Sequence, residues 1–378
     1  MQCDPSLPTL VAVDLGPDAL TAHWSDGASS TFHYLWLRDN CPGQLHPSTR
    51  HRVVETSTIP DDVHPADARV GESGGLTINW AHDGLRSTYE PSWLLVHDYS
   101  RGARHPRQAV TPWNAATIDS ALPEASYPAL LADDRARVAF LQRFLELGVA
   151  VLHDVSCEPG TVLDVARAFG EVRVTSWGLV FDVISMERAN SVAYTNLPLV
   201  THTDEGYRDP APTVQLQHFL QADSTGGATT LVDGFAVAED MRREAPEQFA
   251  LLASTILHFH FADATAEHEA HGPIITLESD GAIRAIRYSN HSALPFLIEA
   301  EAMGPFYAAY REFGRRRESD RYQLRIHMAA GDLYMVDNHR VLHGRSGFVG
   351  GGARHLQSCY VERDELVSRL TVTNRRFA

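Results

Sequence analysis

The chain has 378 residues, of which 44% are hydrophobic and 21% are charged, and its formal net charge is −16 at pH 7. This acidic balance argues against nucleic acid as a partner, because a phosphate backbone requires basic patches. Four scattered cysteines, an N-terminus unlike a signal peptide and no apolar run long enough for a membrane span predict a cytoplasmic protein without a membrane partner.

The first part of the chain, residues 1–97, predicts a small β-rich domain. Short runs rich in β-branched and aromatic residues alternate there with Gly, Asp and Ser turns. The Asp83-Gly84 dipeptide favours a tight hairpin turn between two of these runs. The predicted strands cover residues 10–13, 19–24, 30–34, 76–80 and 87–89. The polar stretch 98–122, which contains Gly and Pro, predicts a linker.

The rest of the chain, residues 123–378, predicts a larger domain of strands with a few helices. Asp133 or Asp134 can cap a first helix, whose apolar residues recur at helical spacing until Gly148 ends it. Two further helices are predicted over residues 161–169 and 300–312. Strand-like runs cover residues 149–152, 214–219, 228–232, 258–261, 333–336 and 357–361. This pattern indicates a mainly β fold with flanking helices (α+β), built as a jelly-roll or double-stranded β-helix.

Two histidines and one aspartate form a candidate metal site in the larger domain. His202 and Asp204 stand two residues apart, and an extended strand would place both side chains on one face. His343 follows far downstream, so it would have to come from a distant strand. Two imidazoles and one carboxylate are the facial triad that holds Fe(II) and leaves positions open for a co-substrate and dioxygen. We therefore predict that these three residues are the metal ligands and the catalytic centre.

Two more residues meet the requirements of 2-oxoglutarate. Thr229 lies 25 residues after Asp204, and Arg354 lies 11 residues after His343. A planar guanidinium binds a carboxylate bidentately and stays charged, so Arg354 suits the distal carboxylate of 2-oxoglutarate, to which the hydroxyl of Thr229 can add a hydrogen bond. These spacings resemble those of the taurine-dioxygenase-like oxygenases. The pattern predicts an iron dioxygenase that uses 2-oxoglutarate and dioxygen.

From Trp36 onward the sequence resembles the γ-butyrobetaine dioxygenase and trimethyllysine dioxygenase group. The segments that carry the resemblance are YLWLRDNC (34–41), NSVAYTNLPLVTHTD (190–204), TGGATTLVDGF (225–235) and RHLQSCY (354–360). The resemblance implies a double-stranded β-helix core and the same iron and 2-oxoglutarate residues. It also implies a homodimer, since many relatives form one.

The N-terminal domain departs from that group at the place of a structural zinc. Relatives hold the zinc with three closely spaced cysteines and a later histidine, whereas this chain keeps only Cys41, followed by Gly43, Leu45 and His46. His82 could supply the histidine, but one thiolate cannot form a zinc site. We therefore expect no structural zinc, and we expect Cys41 to be a small buried residue.

The resemblance also implies a site for a trimethylammonium head group. Four aromatic residues occupy the positions of an aromatic cage in the relatives: Trp177, Phe181, Tyr194 and Tyr360. The faces of aromatic rings attract a cation that cannot donate hydrogen bonds. We therefore predict a small cationic or zwitterionic substrate.

The opposite end of the substrate is less well defined. Relatives hold a carboxylate there with amides and a tyrosine, at positions that correspond to Ser191, Asn290 and the loop Glu205-Gly206-Tyr207. Ser191 is smaller than the expected Asn, and Glu205 would repel an anion. Arg287 and His291 flank Asn290 and could bind a carboxylate or a phosphonate.

The leading hypothesis is hydroxylation of an unactivated C–H bond in a small quaternary-ammonium substrate such as γ-butyrobetaine, with release of succinate and CO2. The alternative substrates are a trimethylammonium phosphonate, such as 2-(trimethylammonio)ethylphosphonate, and a natural-product amine. A different class is a non-catalytic protein that binds a cationic metabolite. The carboxylate of Asp204 favours hydroxylation over halogenation, and desaturation stays open as another outcome.

Overall fold

The computed structural model describes residues 7–71, 74–101, 108–184, 198–222, 225–349 and 354–377. The chain divides into two compact units, Met1–Arg107 and Gln108–Ala378. The predicted linker, residues 98–122, includes this boundary. Within it, Trp113 is buried in the second unit, where its indole nitrogen donates a hydrogen bond to the carbonyl of Leu147. The second half of the predicted linker is therefore part of the second unit.

The first unit is β-rich and, within its described residues, has two three-stranded antiparallel sheets. Its elements are β1 (Leu10–Leu15), β2 (Ala19–Trp24), β3 (Ser29–His33), α1 (Tyr34–Asp39), β4 (Pro65–Val70), β5 (Leu76–Trp80), β6 (Arg86–Tyr89) and α2 (Pro91–Val96). Every second residue of β2 and β3 is buried, as expected for a sheet with one covered face. The predicted hairpin joins β5 and β6, and Gly84 adopts a φ of 67° in its turn.

Cys41 lies in the core of this first unit. Its side chain is 2% exposed, and its sulfur accepts a hydrogen bond of 2.9 Å from the hydroxyl of Ser87. That hydroxyl in turn accepts a hydrogen bond of 2.8 Å from the indole nitrogen of Trp80. Cys41 is thus a small buried residue, as the sequence predicts.

The helices of the second unit pack on the outer faces of its two larger sheets, apart from the first, whose Ile118 packs in the core between the sheets. They are α3 (Ala115–Ile118), α4 (Tyr127–Ala132), α5 (Asp134–Leu147), α6 (Thr161–Phe169), α7 (Gly234–Glu244), α8 (Pro246–Ser254), α9 (Ala300–Glu318) and α10 (Arg363–Asn374). The predicted cap is present, because the carboxylate of Asp133 accepts hydrogen bonds from the backbone at the start of α5, and Gly148 ends that helix with a φ of 73°. Among the described residues, no helix has the length and apolar character needed to cross a bilayer.

The described strands of the second unit form two larger sheets and three short pairs. They are β7 (Glu124–Ser126), β8 (Val149–His153), β9 (Val172–Arg173), β10 (Phe181–Ile184), β11 (Leu199–His202), β12 (Val214–Ala222), β13 (Thr225–Gly226), β14 (Thr229–Asp233), β15 (Leu257–Ala262), β16 (Glu267–Gly272), β17 (Ile275–Leu277), β18 (Ile283–Ile286), β19 (Leu324–Ile326), β20 (Leu333–Asp337), β21 (Val341–Arg345), β22 (Phe348–Val349) and β23 (Arg354–Val361). In the described part of the chain, one sheet has seven strands in the order β10-β23-β12-β20-β8-β7, with β9 beside β23. The other has four strands in the order β11-β21-β14-β19.

The two larger sheets share one core between them. Tyr334 and Val336 of the seven-stranded sheet pack in the same cluster as Leu231 and Val341 of the four-stranded sheet. Met335, which stands between Tyr334 and Val336, faces outward and packs against α5 and α6. Val232 of β14 and Leu342 of β21 also face outward, and they pack against α7 and α9. Since side chains alternate along a strand, positions 343 and 345 of β21 point to the same side as Val341, into the space between the sheets.

Candidate metal centre and cavity

The two predicted histidine ligands lie on neighbouring strands. β11 pairs with β21 in an antiparallel register that places His202 directly opposite His343, and their ring centroids are 4.7 Å apart. Directly opposed residues share one face of a sheet, so the two imidazoles meet at the inner face. A side chain at Gly344 would collide with the carbonyl of Leu199, so this close approach of the strands requires glycine.

Asp204 lies in the turn after β11, because the strand ends at His202 and does not continue as the sequence suggests. The turn nevertheless brings its Oδ1 atom to 3.1 Å from Nε2 of His202 and 3.5 Å from Nε2 of His343. One ligand atom from each of the three side chains lies within 4.8 Å of the others. This convergent set of two imidazole nitrogens and one carboxylate oxygen has the chemistry of a facial metal site.

Hydrogen bonds fix which atoms of the site face inward. Nδ1 of His202 lies 3.0 Å from the carbonyl of Val200, so Nδ1 carries the proton and Nε2 keeps its lone pair for a metal. The second oxygen of Asp204, Oδ2, accepts hydrogen bonds from the hydroxyl of Tyr360 at 2.7 Å and from Nε2 of Gln215 at 2.5 Å. These two bonds leave Oδ1 to point toward the imidazoles.

Asn338 holds the backbone of the turn from both sides. Its side-chain oxygen accepts a hydrogen bond of 2.6 Å from the amide of Asp204, and its side-chain nitrogen donates to the carbonyls of Asp204 at 3.0 Å and Pro212 at 2.9 Å. Neither Asn338 nor Gln215 is among the residues predicted from the sequence. Gln215 did leave a signal in the sequence, since it is an amide between two apolar residues of a predicted strand, Val214 and Leu216.

The charges of two of the candidate ligands, Asp204 and His343, suit metal binding. Burial raises the pKa of Asp204, but the imidazole of His343, with that of His202, outweighs burial and holds this pKa well below its usual range. Burial lowers the pKa of His343 to about 4, although Asp204 opposes this change. At neutral pH the carboxylate is therefore ionised and His343 is neutral, which are the states that bind a metal.

A second group of polar residues lies at the predicted 2-oxoglutarate end. Thr229 and Arg345 are direct cross-strand partners, and both line the same cavity as Arg354 and His343. Arg345 is 5% exposed, and burial, followed by the nearby charge of Arg354, lowers its pKa to about 10. Two guanidinium groups and a hydroxyl on one cavity wall suit a carboxylate. Arg345 is not among the residues predicted from the sequence, although its position two residues after His343 on one strand places both side chains on the same face.

Aromatic rings line the same cavity, which has a volume of about 570 Å³. The ring centroids of Trp177 and Phe181 are 6.4 Å apart, and those of Phe181 and Tyr360 are 5.7 Å apart. Two rings outside the predicted cage extend this wall. Phe261 lies 5.4 Å from Trp177, and Tyr207, from the loop that was expected at the opposite end of the substrate, lies 5.0 Å from Phe261. The structure thus brings three of the four predicted cage residues together and adds two.

The remaining predicted substrate residues have different positions. Ser191 and Tyr194 lie outside the described residues. His291 lines the cavity, and burial lowers its pKa to about 4, so that its ring is neutral at physiological pH. Asn290 lies apart from the cavity wall, since its side chain is exposed and accepts a hydrogen bond of 3.1 Å from the hydroxyl of Tyr310.

Glu205 is a buried carboxylate in the wall of the cavity. It is 6% exposed, and burial raises its pKa to about 7 against the opposing charge of Arg208. Nε of Arg208 lies 2.7 Å from Oε2, but this ion pair lacks the alignment of a hydrogen bond. The side chain of Trp177 opposes the rise in the pKa of Glu205, and burial, followed by the charge of this carboxylate, raises the pKa of Tyr207, so Glu205 lies beside these two rings.

Comparison with protein families gives two matches. Residues 107–360 match the family described as taurine catabolism dioxygenase TauD, TfdA family. Residues 14–106 match the family described as gamma-butyrobetaine hydroxylase-like, N-terminal. Together the two matches cover most of the chain.

Individual proteins agree with these matches. Gamma-butyrobetaine dioxygenase from Pseudomonas sp. (strain AK-1) is 38% identical over 356 residues, which covers 93% of each chain. Gamma-butyrobetaine dioxygenase from Homo sapiens is 29% identical and covers 93% of this chain and 94% of its own. Trimethyllysine dioxygenase from Rattus norvegicus is 30% identical and covers 89% and 81%, respectively. The crystal structure of asparagine oxygenase, at 18% identity, shares the fold with a TM-score of 0.50 over 62% of this chain and 80% of that one.

Proposed function

The chain belongs to the taurine catabolism dioxygenase TauD, TfdA family, in the group of γ-butyrobetaine and trimethyllysine dioxygenases, and from this premise we propose its substrate and the roles of its residues. It is an Fe(II)- and 2-oxoglutarate-dependent dioxygenase. We propose that it hydroxylates an unactivated C–H bond of a small quaternary-ammonium compound, of the γ-butyrobetaine type, and releases succinate and CO2.

One observation carries this proposal: the His–Asp–His donor set and a wall of aromatic rings line the same cavity of about 570 Å³. Aromatic faces attract cations, and a methylated ammonium suits them because it cannot be satisfied by hydrogen bonds. A small molecule whose head group lies among the rings is therefore held near the donor set. Holding a reacting carbon in place in this way is a large part of what such an enzyme contributes.

In this proposal Nε2 of His202, Nε2 of His343 and Oδ1 of Asp204 hold the iron. The donors fit this role, since the hydrogen bond from Nδ1 of His202 leaves Nε2 free, and the bonds from Tyr360 and Gln215 occupy the other oxygen of Asp204. When bound, iron with 2-oxoglutarate and dioxygen supplies the oxidising chemistry for the C–H bond. The protein holds the three donor atoms in place and keeps Asp204 ionised and His343 neutral.

The same proposal assigns the rest of the cavity. Arg354 binds the distal carboxylate of 2-oxoglutarate, the hydroxyl of Thr229 adds a hydrogen bond, and Arg345 adds a second positive charge. The rings of Trp177 and Phe181, with the ring of Tyr360, bind the cationic head. His291 stays a predicted contact for the other end of the substrate.

We further propose that the seven-stranded and four-stranded sheets form a double-stranded β-helix. Their shared inner core and the position of the donor set at that inner face support this architecture. The homodimer, the cytoplasmic location and the lack of a structural zinc stay predictions from the sequence.

The test of the proposed function has two parts. Anaerobic addition of Fe(II) and 2-oxoglutarate to the purified protein should produce a weak visible charge-transfer band, and an Asp204→Ala variant should not produce it. In air, succinate should then form above the substrate-free background with at least one of γ-butyrobetaine, trimethyllysine and 2-(trimethylammonio)ethylphosphonate. The lack of both band and succinate would refute the dioxygenase, and succinate formation only with compounds that carry no ammonium group would refute the substrate class.

A further inference from the structure

Three rings of the cavity wall come from three separate segments of the chain. Trp177 stands at the centre of a turn, residues 175–178, which two backbone hydrogen bonds of 3.0 Å close. Tyr207 stands in a second turn, residues 205–208, which a backbone hydrogen bond of 2.9 Å closes. The third ring, Phe261, belongs to β15. Rings on three segments keep a common geometry only where a contact fixes the segments to one another.

The guanidinium of Arg208 contacts all three of these ring-bearing segments. Its Nε lies 2.7 Å from Oε2 of Glu205, at the other end of its own turn. Its Nη2 donates a hydrogen bond to the hydroxyl of Ser176, in the turn that carries Trp177. The same Nη2 lies 3.2 Å from Nε2 of His268 on β16, the strand that pairs with β15. One side chain thus joins both turns to the hairpin.

Two further contacts strengthen this junction. The hydroxyl of Ser176 lies 2.8 Å from Nε2 of His268, so the first turn and the hairpin also bond each other. The ring of His268 stacks on that of Tyr207, with centroids 6.2 Å apart and an angle of 10° between the ring planes. Loss of the guanidinium would therefore remove the group to which both of these residues are anchored.

Arg208 lies behind the rings and not in the cavity. Its side chain is 17% exposed and is not among the described residues that line the cavity. A planar guanidinium can contact several acceptors at once in a fixed geometry, which suits a junction between segments. We propose that Arg208 is a positioning residue of the head-group site, which holds the three ring-bearing segments together, so that binding of a quaternary ammonium depends on its guanidinium. This inference rests on the proposed function, because it assumes that the rings hold the cationic head.

The sign of the effect separates positioning from simple electrostatics. If only charge mattered, removing a positive group beside a cation site would reduce repulsion and tighten the binding of a cation. Loosening the rings has the opposite effect, because the contribution of one ring to cation binding corresponds to about threefold to thirtyfold in affinity. We therefore expect a quaternary ammonium to bind about tenfold more weakly when the guanidinium of Arg208 is removed.

Tetramethylammonium is the probe, and its dissociation constant is measured by anaerobic calorimetric titration of the protein loaded with Fe(II) and 2-oxoglutarate. Arg208→Met keeps the apolar stem of the side chain and removes the guanidinium. This variant should bind tetramethylammonium about tenfold more weakly, while its Fe(II) affinity, followed by the charge-transfer band, stays at the wild-type value. Arg316→Met is the matched control, since Arg316 is 16% exposed and pairs with Glu244 and Glu312 outside the cavity wall.

Ser176→Ala is a milder second variant. It removes the hydroxyl that lies between Arg208 and His268 but leaves the ion pair with Glu205 in place. Because Ser176 is exposed, its loss places no unpaired group in the core. The dissociation constant of tetramethylammonium should rise about threefold, as expected for one hydrogen bond.

The possible outcomes separate the inference from the function. If tetramethylammonium binds Arg208→Met as tightly as the wild type, or more tightly, the inference is wrong and the proposed function stands. Equal losses for Fe(II) and for the cation would show that Arg208 supports the whole unit and not the rings, which also overturns the inference. If tetramethylammonium does not bind the wild type, the ring site itself is refuted, and the substrate proposal falls with the inference. Should Arg208→Met fail to fold, Ser176→Ala decides, because wild-type affinity in that variant contradicts the junction.

Discussion

Replacing Tyr360 with Phe separates two roles that meet in one side chain. The ring forms part of the aromatic wall, with its centroid 5.7 Å from that of Phe181, while the hydroxyl donates a hydrogen bond of 2.7 Å to Oδ2 of Asp204. The Tyr360→Phe change keeps the ring and removes only the donor. We expect weaker binding of Fe(II) and unchanged binding of a quaternary ammonium.

The magnitude follows from the hydrogen bonds to Asp204. A hydrogen bond to a charged group contributes about 1.5–3 kcal/mol, which corresponds to about tenfold or more in affinity. Gln215 still donates to the same oxygen at 2.5 Å, so the carboxylate keeps one of its two partners. The loss should therefore lie near the lower end of the range of about 10- to 100-fold that is typical of residues hydrogen-bonded to metal ligands.

The assay is an anaerobic titration of Fe(II) in the presence of saturating 2-oxoglutarate, followed by the charge-transfer band, together with calorimetric titration of tetramethylammonium. Tyr322→Phe is the matched control, because Tyr322 is equally buried and its hydroxyl bonds Asp240, which lies outside the cavity wall. Wild-type Fe(II) affinity in Tyr360→Phe would show that the hydroxyl does not orient Asp204. An equal loss for Fe(II) and for the cation would show that the two roles cannot be separated.

Three other substitutions test the aromatic rings, the 2-oxoglutarate end of the cavity and the strand pairing beside the metal ligands. Trp177→Ala should weaken binding of tetramethylammonium by about 1–2 kcal/mol, measured by calorimetry, and unchanged binding would remove this ring from the head-group site. Arg345→Met should raise the KM for 2-oxoglutarate about tenfold in the succinate assay while the KM for the ammonium substrate stays the same; an unchanged KM for 2-oxoglutarate would exclude Arg345 from the co-substrate site. Gly344→Ala should lower the free energy of unfolding by about 1–3 kcal/mol and weaken Fe(II) binding, because its Cβ pushes against the carbonyl of Leu199; a variant with wild-type melting temperature and Fe(II) affinity would contradict this.

Local signals in the sequence were sufficient for many elements. The helix α5 follows from Asp133 as its cap and Gly148 as its end, and the β5–β6 hairpin follows from Asp83-Gly84. These signals act within a few residues and do not depend on the rest of the fold. By contrast, the helices α7 and α8 were not predicted, although they cover the outer face of the four-stranded sheet.

The parts of the site that were missed depend on contacts between distant residues. Asp204 was expected on a strand, but Asn338 bonds its amide and its carbonyl from far along the chain and holds it in a turn. Gln215 and Arg345 gain their roles only when β12 and β21 bring them beside other residues of the site. The spacing of side chains identifies the donors, whereas the residues that orient them become visible only in three dimensions.

The pairing of β11, β21 and β14 has a consequence for how such an enzyme can diversify. His202, His343 and Arg345 take their positions from strand register, and a slip of one residue would turn the β21 side chains to the opposite face. Trp177 and Phe261 instead stand in a turn and on the β15–β16 hairpin, where changes in length leave that register intact. The residues that bind the iron and the co-substrate are thus constrained together by strand register, whereas the residues that contact the substrate can change separately in each peripheral segment.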